Sequence, residues 1–382
     1  MTLAEPKTRV EPVSFIDLKA QQALIRERIE RRLIAILDHG AYINGPEIAE
    51  LEAELKARTG AAAVLGVSSG TDALVIALMA EGIGPGDAVF VPGFTYNATA
   101  NSVLLCGAVP VFVDIDPATF NMCPADLARR VEGLARARPE LTPRVVMPVD
   151  LFGLPADYEA IGAVAARHGM VLIADAAQSF GGAYRGRSVG TLALMSGTSF
   201  FPSKTLGGYG DGGAIFTTDA AKTEVLESIR WHGTDAARRE SVRVGMNGRL
   251  DSFQAAVLLE KLTLFDAEHA RRVAIAQRYD AALAGHVELP ARPQDRVSAW
   301  ALYTVSLDER DRVREALTAA GLPTAVYYLQ TLPEMKAFAA YAPEGGLPNA
   351  ERASGRVLTL PLHPYLSDAG VDRVCETLLG AL

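Results

Sequence analysis

From about residue 62 the chain alternates short apolar runs with segments of helical length, and this pattern constrains the fold more than any other feature. Val64-Leu65-Gly66-Val67, AVFVP (88–92), VPVFVDI (109–115), RVVMPVDL (144–151) and MVLIADAA (170–177) read as strands. Segments 71–82, 97–107, 124–137 and 156–168 between them read as helices. A strand that is apolar throughout is buried on both faces, and an intervening helix supplies the crossover that a parallel pair needs. The expected class is therefore α/β, a mainly parallel sheet flanked by helices. SGTSFFP and GGAIFTT are separated only by the glycine-rich turn LGGYGDGG, too short for a helical crossover, so that pair is expected to be antiparallel or irregular.

The flanks differ in character. The first dozen residues are polar, hold two prolines and read as a loose arm. Residues 17–37 place Leu24, Ile25, Ile29, Leu33, Ile36 and Leu37 on one broad helical face, and 47–58 form a second amphipathic helix. Helices are expected at 220–231, 250–262 and 266–284. Beyond about 286 the pattern becomes a strand (300–307), a helix (308–320), a strand at PTAVYY and two further helical segments. This divides the chain into a large domain, 1–265, and a linking helix with a smaller α+β domain, 266–382.

Composition narrows the function. With 37 basic and 45 acidic residues the net charge is −8, which argues against nucleic acid as a partner. Cys106, Cys123 and Cys375 are far apart, so neither a disulfide framework nor a metal site is expected. No uncharged apolar run approaches a bilayer's thickness and the N-terminus has no secretory signature, so a cytoplasmic protein with no membrane partner is expected.

Four pieces carry chemistry. Ser68-Ser69-Gly70-Thr71 joins a strand to a helix, where unpaired N–H groups and the helix dipole make a phosphate site; a plain helix cap is the alternative. Asp175 ends a buried strand, where open α/β sheets bind ligands, and Gln178 follows it; a carboxylate satisfied by backbone N–H groups is the alternative. Lys204, in Ser199-Phe200-Phe201-Pro202-Ser203-Lys204, sits among aromatics and glycines, and a desolvated lysine can attack an aldehyde; an exposed loop lysine is the alternative. Tyr96, after a strand, could stack on a flat ligand or merely pack. Phosphate cradle, stacking ring, carboxylate and amine together are what pyridoxal 5'-phosphate requires.

FIDLKAQQ, AYINGPE, SSGTDAL, PGFTYNATA, PVFVDIDP, ADAAQSFGG, SFFPSK, GYGDGGAIFTTD and NGRLDSFQAA resemble, in this order, the DegT/DnrJ/EryC1/StrS sugar aminotransferases, from about residue 14 to the C-terminus. The resemblance implies fold type I, the aspartate-aminotransferase architecture, and a homodimer with shared active sites. It implies that Lys204 carries pyridoxal phosphate as a Schiff base. Asp175 then faces the pyridine nitrogen, Gln178 the ring hydroxyl, Ala177 the underside of the ring and Tyr96 its upper face. Gly70, Thr71 and Ser199 hold the phosphate, with Asn247 reaching in from the other subunit. The implied reaction moves an amino group from an amino acid, usually L-glutamate, to a keto sugar of a nucleotide-sugar. SFFPSK with the glycine loop through GYGDGGAIFT, together with PGFTY, is most similar to the 3-keto branch, notably the UDP-2-acetamido-2-deoxy-3-oxo-glucuronate aminotransferases; 4-keto acceptors are the alternative. The run Ala325-Val326-Tyr327-Tyr328-Leu329-Gln330 departs from the family's Tyr-Pro-x-Pro-Leu-His type segment. Tyr327 stands where that branch tends to have histidine.

Arg249, two residues beyond Asn247, is a candidate for a sugar carboxylate or diphosphate, with a structural ion pair as the alternative. Tyr327 and Tyr328 are further substrate candidates. Arg185 and Arg187 read as a solvated hairpin turn, with screening of a nucleotide diphosphate as the alternative, and His232 as a helix-end residue. A sugar dehydratase of the same fold would replace Lys204, and a cysteine desulfurase would need a loop cysteine. A non-enzymatic sensor would have little use for the lysine, aspartate and glutamine together.

Overall fold

The computed structural model describes residues 12–382. Apart from Pro12, the expected N-terminal arm lies outside them. Helix α1 (Leu18–His39) starts where the Asp17 side chain accepts from Ala20 N at 2.9 Å, and stops at Gly40, whose φ of 70° suits glycine. Helix α2 (Pro46–Thr59) opens on a proline and also ends on a left-handed glycine, Gly60. The alternating stretch then runs β1 (Ala63–Val67), α3 (Gly70–Ala80), β2 (Asp87–Pro92), α4 (Ala98–Leu105), β3 (Val109–Val113), α5 (Pro124–Ala137), β4 (Thr142–Val146), α6 (Tyr158–Arg167) and β5 (Val171–Asp175). A small hairpin, β6 (Ala183–Tyr184) and β7 (Arg187–Ser188), precedes β8 (Met195–Ser199) and β9 (Gly213–Thr217).

Seven strands form one sheet in the order β1-β9-β8-β5-β4-β2-β3. The β8–β5, β5–β4, β4–β2 and β2–β3 pairs are parallel, while β9 runs antiparallel to both β1 and β8. The sheet is thus mainly parallel, and the short glycine turn makes β8 and β9 the antiparallel pair its length demands. One face is covered through Leu74, Ile76 and Leu78 of α3, with Leu226 and Ile229. The other is covered through Leu127, Val131 and Leu134 of α5 and Ile161 and Val164 of α6. Burial on both faces explains the near-continuous apolar strands.

Helices α7 (Thr223–Arg230), α8 (Ser252–Leu262) and α9 (Phe265–Leu283) follow, with β10 (Arg296–Val297) pairing onto β6. The C-terminal part comprises β11 (Tyr303–Ser306), α10 (Arg310–Ala319), α11 (Pro348–Arg356), β12 (Val357–Leu360) and α12 (Asp368–Ala381). β11 and β12 pair antiparallel and share a core with α9, α10 and α12 through Tyr279, Tyr303, Val313 and Val374. Leu332, Phe338, Leu347 and Ala350 instead join the core under the large sheet.

PTAVYY does not form the expected strand. Ala325 makes a single antiparallel bridge to Thr359. The chain then turns away because Tyr328 leaves the small sheet to pack between Phe94 and Tyr96, with ring centroids 5.9 and 6.4 Å away. Tertiary aromatic packing overrides the local β propensity there.

Candidate active site

The carboxyl ends of the parallel strands and the start of α3 converge on one place. Asp175 ends β5 and is buried, 5% exposed. Thr99 Oγ1, in the first turn of α4, donates to Asp175 Oδ2 at 2.7 Å, and Ala177 N donates to Oδ1 at 3.2 Å. Burial pushes the Asp175 carboxyl above its usual range, while these donors and the Lys204 charge pull it back. Lys204 lies in the turn after β8, its N–H donating to Phe201 O at 2.9 Å. Loss of solvation lowers its ammonium pKa, and the Asp175 charge opposes that shift. Desolvation thereby favours the amine as free base, the form suited to attack on an aldehyde.

The strand-to-helix turn holds the second part. Ser69 caps α3, its side chain accepting from Asp72 N at 3.0 Å, so the cap reading is correct for Ser69. That leaves the N–H groups of the first turn beyond the cap for another acceptor. Gly70 must be glycine, since a Cβ there would lie 2.7 Å from Ser199 Cβ. A Cβ on Gly213 would meet Ser69 carbonyl atoms at 2.6 Å. These contacts press the helix start against the ends of β8 and β9 and bring Gly70 and Ser199 together. Thr71 and Ala177 are both half-buried.

Gln178 is buried, its Oε1 accepting from Phe152 N at 2.8 Å and its Nε2 donating to Tyr328 Oη at 3.3 Å. Tyr96 is 57% exposed and lies against Tyr328. Tyr327 stacks edge-on to Tyr328 at 5.7 Å, and burial raises both phenol pKa values. Asn247 and Arg249 do not join this group through their own side chains. Arg249 Nε and Nη2 donate to Asn247 Oδ1 at 2.9 and 2.8 Å, and its guanidinium lies 4.4 Å from the Trp231 ring centroid. Gly248 between them accepts from Ser68 N at 3.0 Å, which ties this segment to the turn between β1 and α3.

The bland readings fit elsewhere. Arg185 is on the expected solvated hairpin, where its exposed side chain pairs with Glu159 and, at 3.6 Å, with Asp295. Arg187 donates to Thr191 O, and His232 follows α7 in a left-handed conformation.

The sequence reading missed Thr99, Phe152 and Asp150. Thr99 lies inside PGFTYNATA, three residues past Tyr96, and a buried Asp175 needs such a donor. Asp150 carries the signal that singled out Asp175, an acidic residue ending an apolar run.

A profile of the DegT/DnrJ/EryC1/StrS aminotransferase family matches residues 23–379. The UDP-2-acetamido-2-deoxy-3-oxo-D-glucuronate aminotransferase of Pseudomonas aeruginosa is 45% identical over 367 residues, 96% of this chain and 99% of that protein. A DegT DnrJ EryC1 StrS aminotransferase from Brucella abortus superposes with a TM-score of 0.94 at 44% identity, covering 96% of this chain and 98% of that one. NtdA from Bacillus subtilis, whose structure holds the cofactor PMP, superposes with a TM-score of 0.87 at 29% identity, covering 98% of this chain and 86% of that one. With its seven-stranded sheet, its buried aspartate and its desolvated lysine, the chain belongs to the DegT/DnrJ/EryC1/StrS family and is a pyridoxal-phosphate-dependent aminotransferase of fold type I.

Proposed function

We propose that the protein moves an amino group from an amino-acid donor, L-glutamate, to the 3-keto sugar of a nucleotide-sugar, in surface-polysaccharide or natural-product sugar biosynthesis. The observation that carries the reading is the buried Asp175 carboxylate at the end of β5, held by Thr99 and Ala177, with Lys204 following the neighbouring parallel strand β8. The likeness to a 3-oxo-glucuronate aminotransferase supports the 3-keto acceptor.

The donor set fits pyridoxal phosphate. Glycine at Gly70, where a Cβ would strike Ser199, leaves a close backbone approach at a helix N-terminus for the phosphate, with Thr71 and Ser199 as side-chain donors. When bound, the cofactor supplies an aldehyde carbon and an electron-poor ring that stabilises negative charge on the adjacent carbon. Asp175, its carboxylate fixed by Thr99, would hold a proton on the ring nitrogen. Gln178 would donate to the ring hydroxyl, and Ala177 and Tyr96 would serve the two ring faces. Lys204 Nζ would be the anchoring amine and, as free base, the group that holds and moves a proton. Tyr327 and Tyr328 would meet the sugar, and Arg249, held on Asn247 Oδ1 in this chain, would serve a carboxylate or diphosphate alongside Asn247 at the partner subunit's site.

The reading includes a homodimer. Two of the six residues on the broad apolar face of α1 are largely exposed: Ile25, Ile29 and Ile36 are buried and Leu33 packs beside them, yet Leu24 is 62% and Leu37 60% exposed. Ile34, Tyr42 and Ile43 add to that patch. Asn247, exposed here, then reaches the phosphate of the partner subunit.

The acceptor test converts the holoenzyme to its amine form with L-glutamate and then adds 3-keto or 4-keto UDP-sugars. Return of the visible band with a 3-keto sugar is expected. Return only with 4-keto sugars would overturn the 3-keto assignment.

A further inference from the structure

The turn between β4 and α6 carries a buried carboxylate that no step above uses. Asp150 has no exposed surface. Its Oδ1 accepts from Ala156 N at 2.8 Å and Tyr158 Oη at 2.9 Å, and its Oδ2 accepts from Ser179 Oγ at 2.7 Å. Its backbone N–H donates to Asp175 O at 3.1 Å. One carboxylate therefore ties the start of α6 to the turn that follows β5, where Ser179 stands next to Gln178.

The residues immediately after Asp150 complete the connection. Phe152 adopts φ 60°, ψ 4°, a left-handed conformation that is unfavourable for a residue with a Cβ. In that conformation its N–H donates to Gln178 Oε1 at 2.8 Å. Gly153 next to it has φ +102°, and a Cβ there would lie 2.9 Å from both Trp300 N and Ala301 N. Gly153 O accepts from Ala299 N at 2.9 Å. A left-handed phenylalanine and a fully buried carboxylate are both costly, and apolar packing alone requires neither. What they achieve together is one backbone N–H aimed at one side-chain oxygen.

We propose that Asp150 is a positioning residue that holds Phe152 N–H on Gln178 Oε1 and so fixes the orientation of the Gln178 amide toward the cofactor. The inference rests on the placement of Gln178 beside the ring hydroxyl. An amide has one oxygen acceptor and one NH2 donor. With Oε1 taken by Phe152, Nε2 is the end left for the site, and it already points toward Tyr328 Oη. A donor on the ring oxygen competes with the lysine-bound nitrogen for that oxygen's negative charge. It therefore lowers the pH at which this nitrogen loses its proton. If the clamp is loosened, the amide turns, the donor weakens and that pH rises.

The test uses the holoenzyme and reads the pH midpoint of its visible band together with its thermal midpoint. The variants are Gln178→Ala, Asp150→Asn, Ser179→Ala and the double variant Asp150→Asn/Gln178→Ala. Gln178→Ala is expected to raise the spectral midpoint by about one pH unit, the size of a lost hydrogen bond to a charged group. Asp150→Asn is expected to raise it by at least half as much, and Ser179→Ala in the same direction by less. The double variant is expected to go no further than Gln178→Ala, because Asp150 acts through that amide. If Gln178→Ala moves the spectral midpoint while Asp150→Asn and Ser179→Ala lower only the thermal midpoint, Asp150 is merely structural and the proposal fails. If Gln178→Ala itself moves nothing, the placement of Gln178 is wrong and the clamp falls with it. Should Asp150→Asn not fold, Ser179→Ala decides alone, since it removes only the 2.7 Å bond to Oδ2.

Discussion

Thr99 Oγ1 donates a 2.7 Å hydrogen bond to Asp175 Oδ2 with both side chains buried, so the first turn of α4 sets the state of the carboxylate at the end of β5. Burial alone would favour the neutral acid there; the bond favours the charged form. Thr99→Val keeps the shape and removes the donor. The expected result is pyridoxal-phosphate binding weakened by about tenfold, the worth of one hydrogen bond to a charged group. A fluorescence titration of the apoprotein checks this, and unchanged affinity would separate Thr99 from the site.

Gly70 tests the phosphate turn. Its Cβ would sit 2.7 Å from Ser199 Cβ and 3.2 Å from Ser199 Cα, so Gly70→Ala must push β8 away from the start of α3. Alanine also favours a helix over glycine by about 1 kcal/mol, which offsets part of the strain. Cofactor affinity should fall by more than about tenfold while the thermal midpoint moves by only a few degrees. A parallel loss of both would mean that Gly70 serves folding rather than the phosphate.

Stability has its own test in Asp114, buried at the end of β3. Its Oδ2 accepts from Asn349 N at 3.0 Å and its Oδ1 from Ala350 N at 2.9 Å, so a residue far away in sequence caps α11. Asp114→Ala should cost about 2–4 kcal/mol, a lost cap plus buried N–H groups left without acceptors. Urea unfolding measures it, and a cost below about 0.5 kcal/mol, the scale of a neutral surface change, would contradict the capping role.

Asp150 makes stability depend on pH. Burial pushes its carboxyl up to about 6, despite the pull of its donors, whereas in the unfolded chain it titrates near 3.9. The folded state therefore binds the proton more tightly, and ionisation costs folding free energy. Relative to Asp150→Asn, the wild type is best off below about pH 4 and loses ground as pH rises to about 6, on the order of 3 kcal/mol in all. Urea unfolding of both proteins across that range reads the difference. A difference that is flat, or that grows with pH, would contradict it.

Much of this was legible in the sequence because each signal was local. Apolar runs with both faces buried read as parallel strands, and the short glycine turn forced β8 and β9 antiparallel. Lys204, Asp175 and Gln178 stand in compact motifs whose chemistry names the cofactor. What stayed hidden depended on distant partners. PTAVYY has the composition of a strand, but the pull of Tyr328 toward Phe94 and Tyr96 comes from residues more than two hundred positions away. The sequence placed six apolar residues on one face of α1, but periodicity could not show that Leu24 and Leu37 stay exposed among the described residues. The role of Phe152 rests on a left-handed backbone that no residue type announces.

The most direct test of the central claim is to reduce the holoenzyme with borohydride and map the modified peptide. The account predicts pyridoxyl label on Lys204, absorbance that is bleached by L-glutamate before reduction, and neither signal in Lys204→Ala. Label on another lysine, or a visible band that persists in Lys204→Ala, would contradict it.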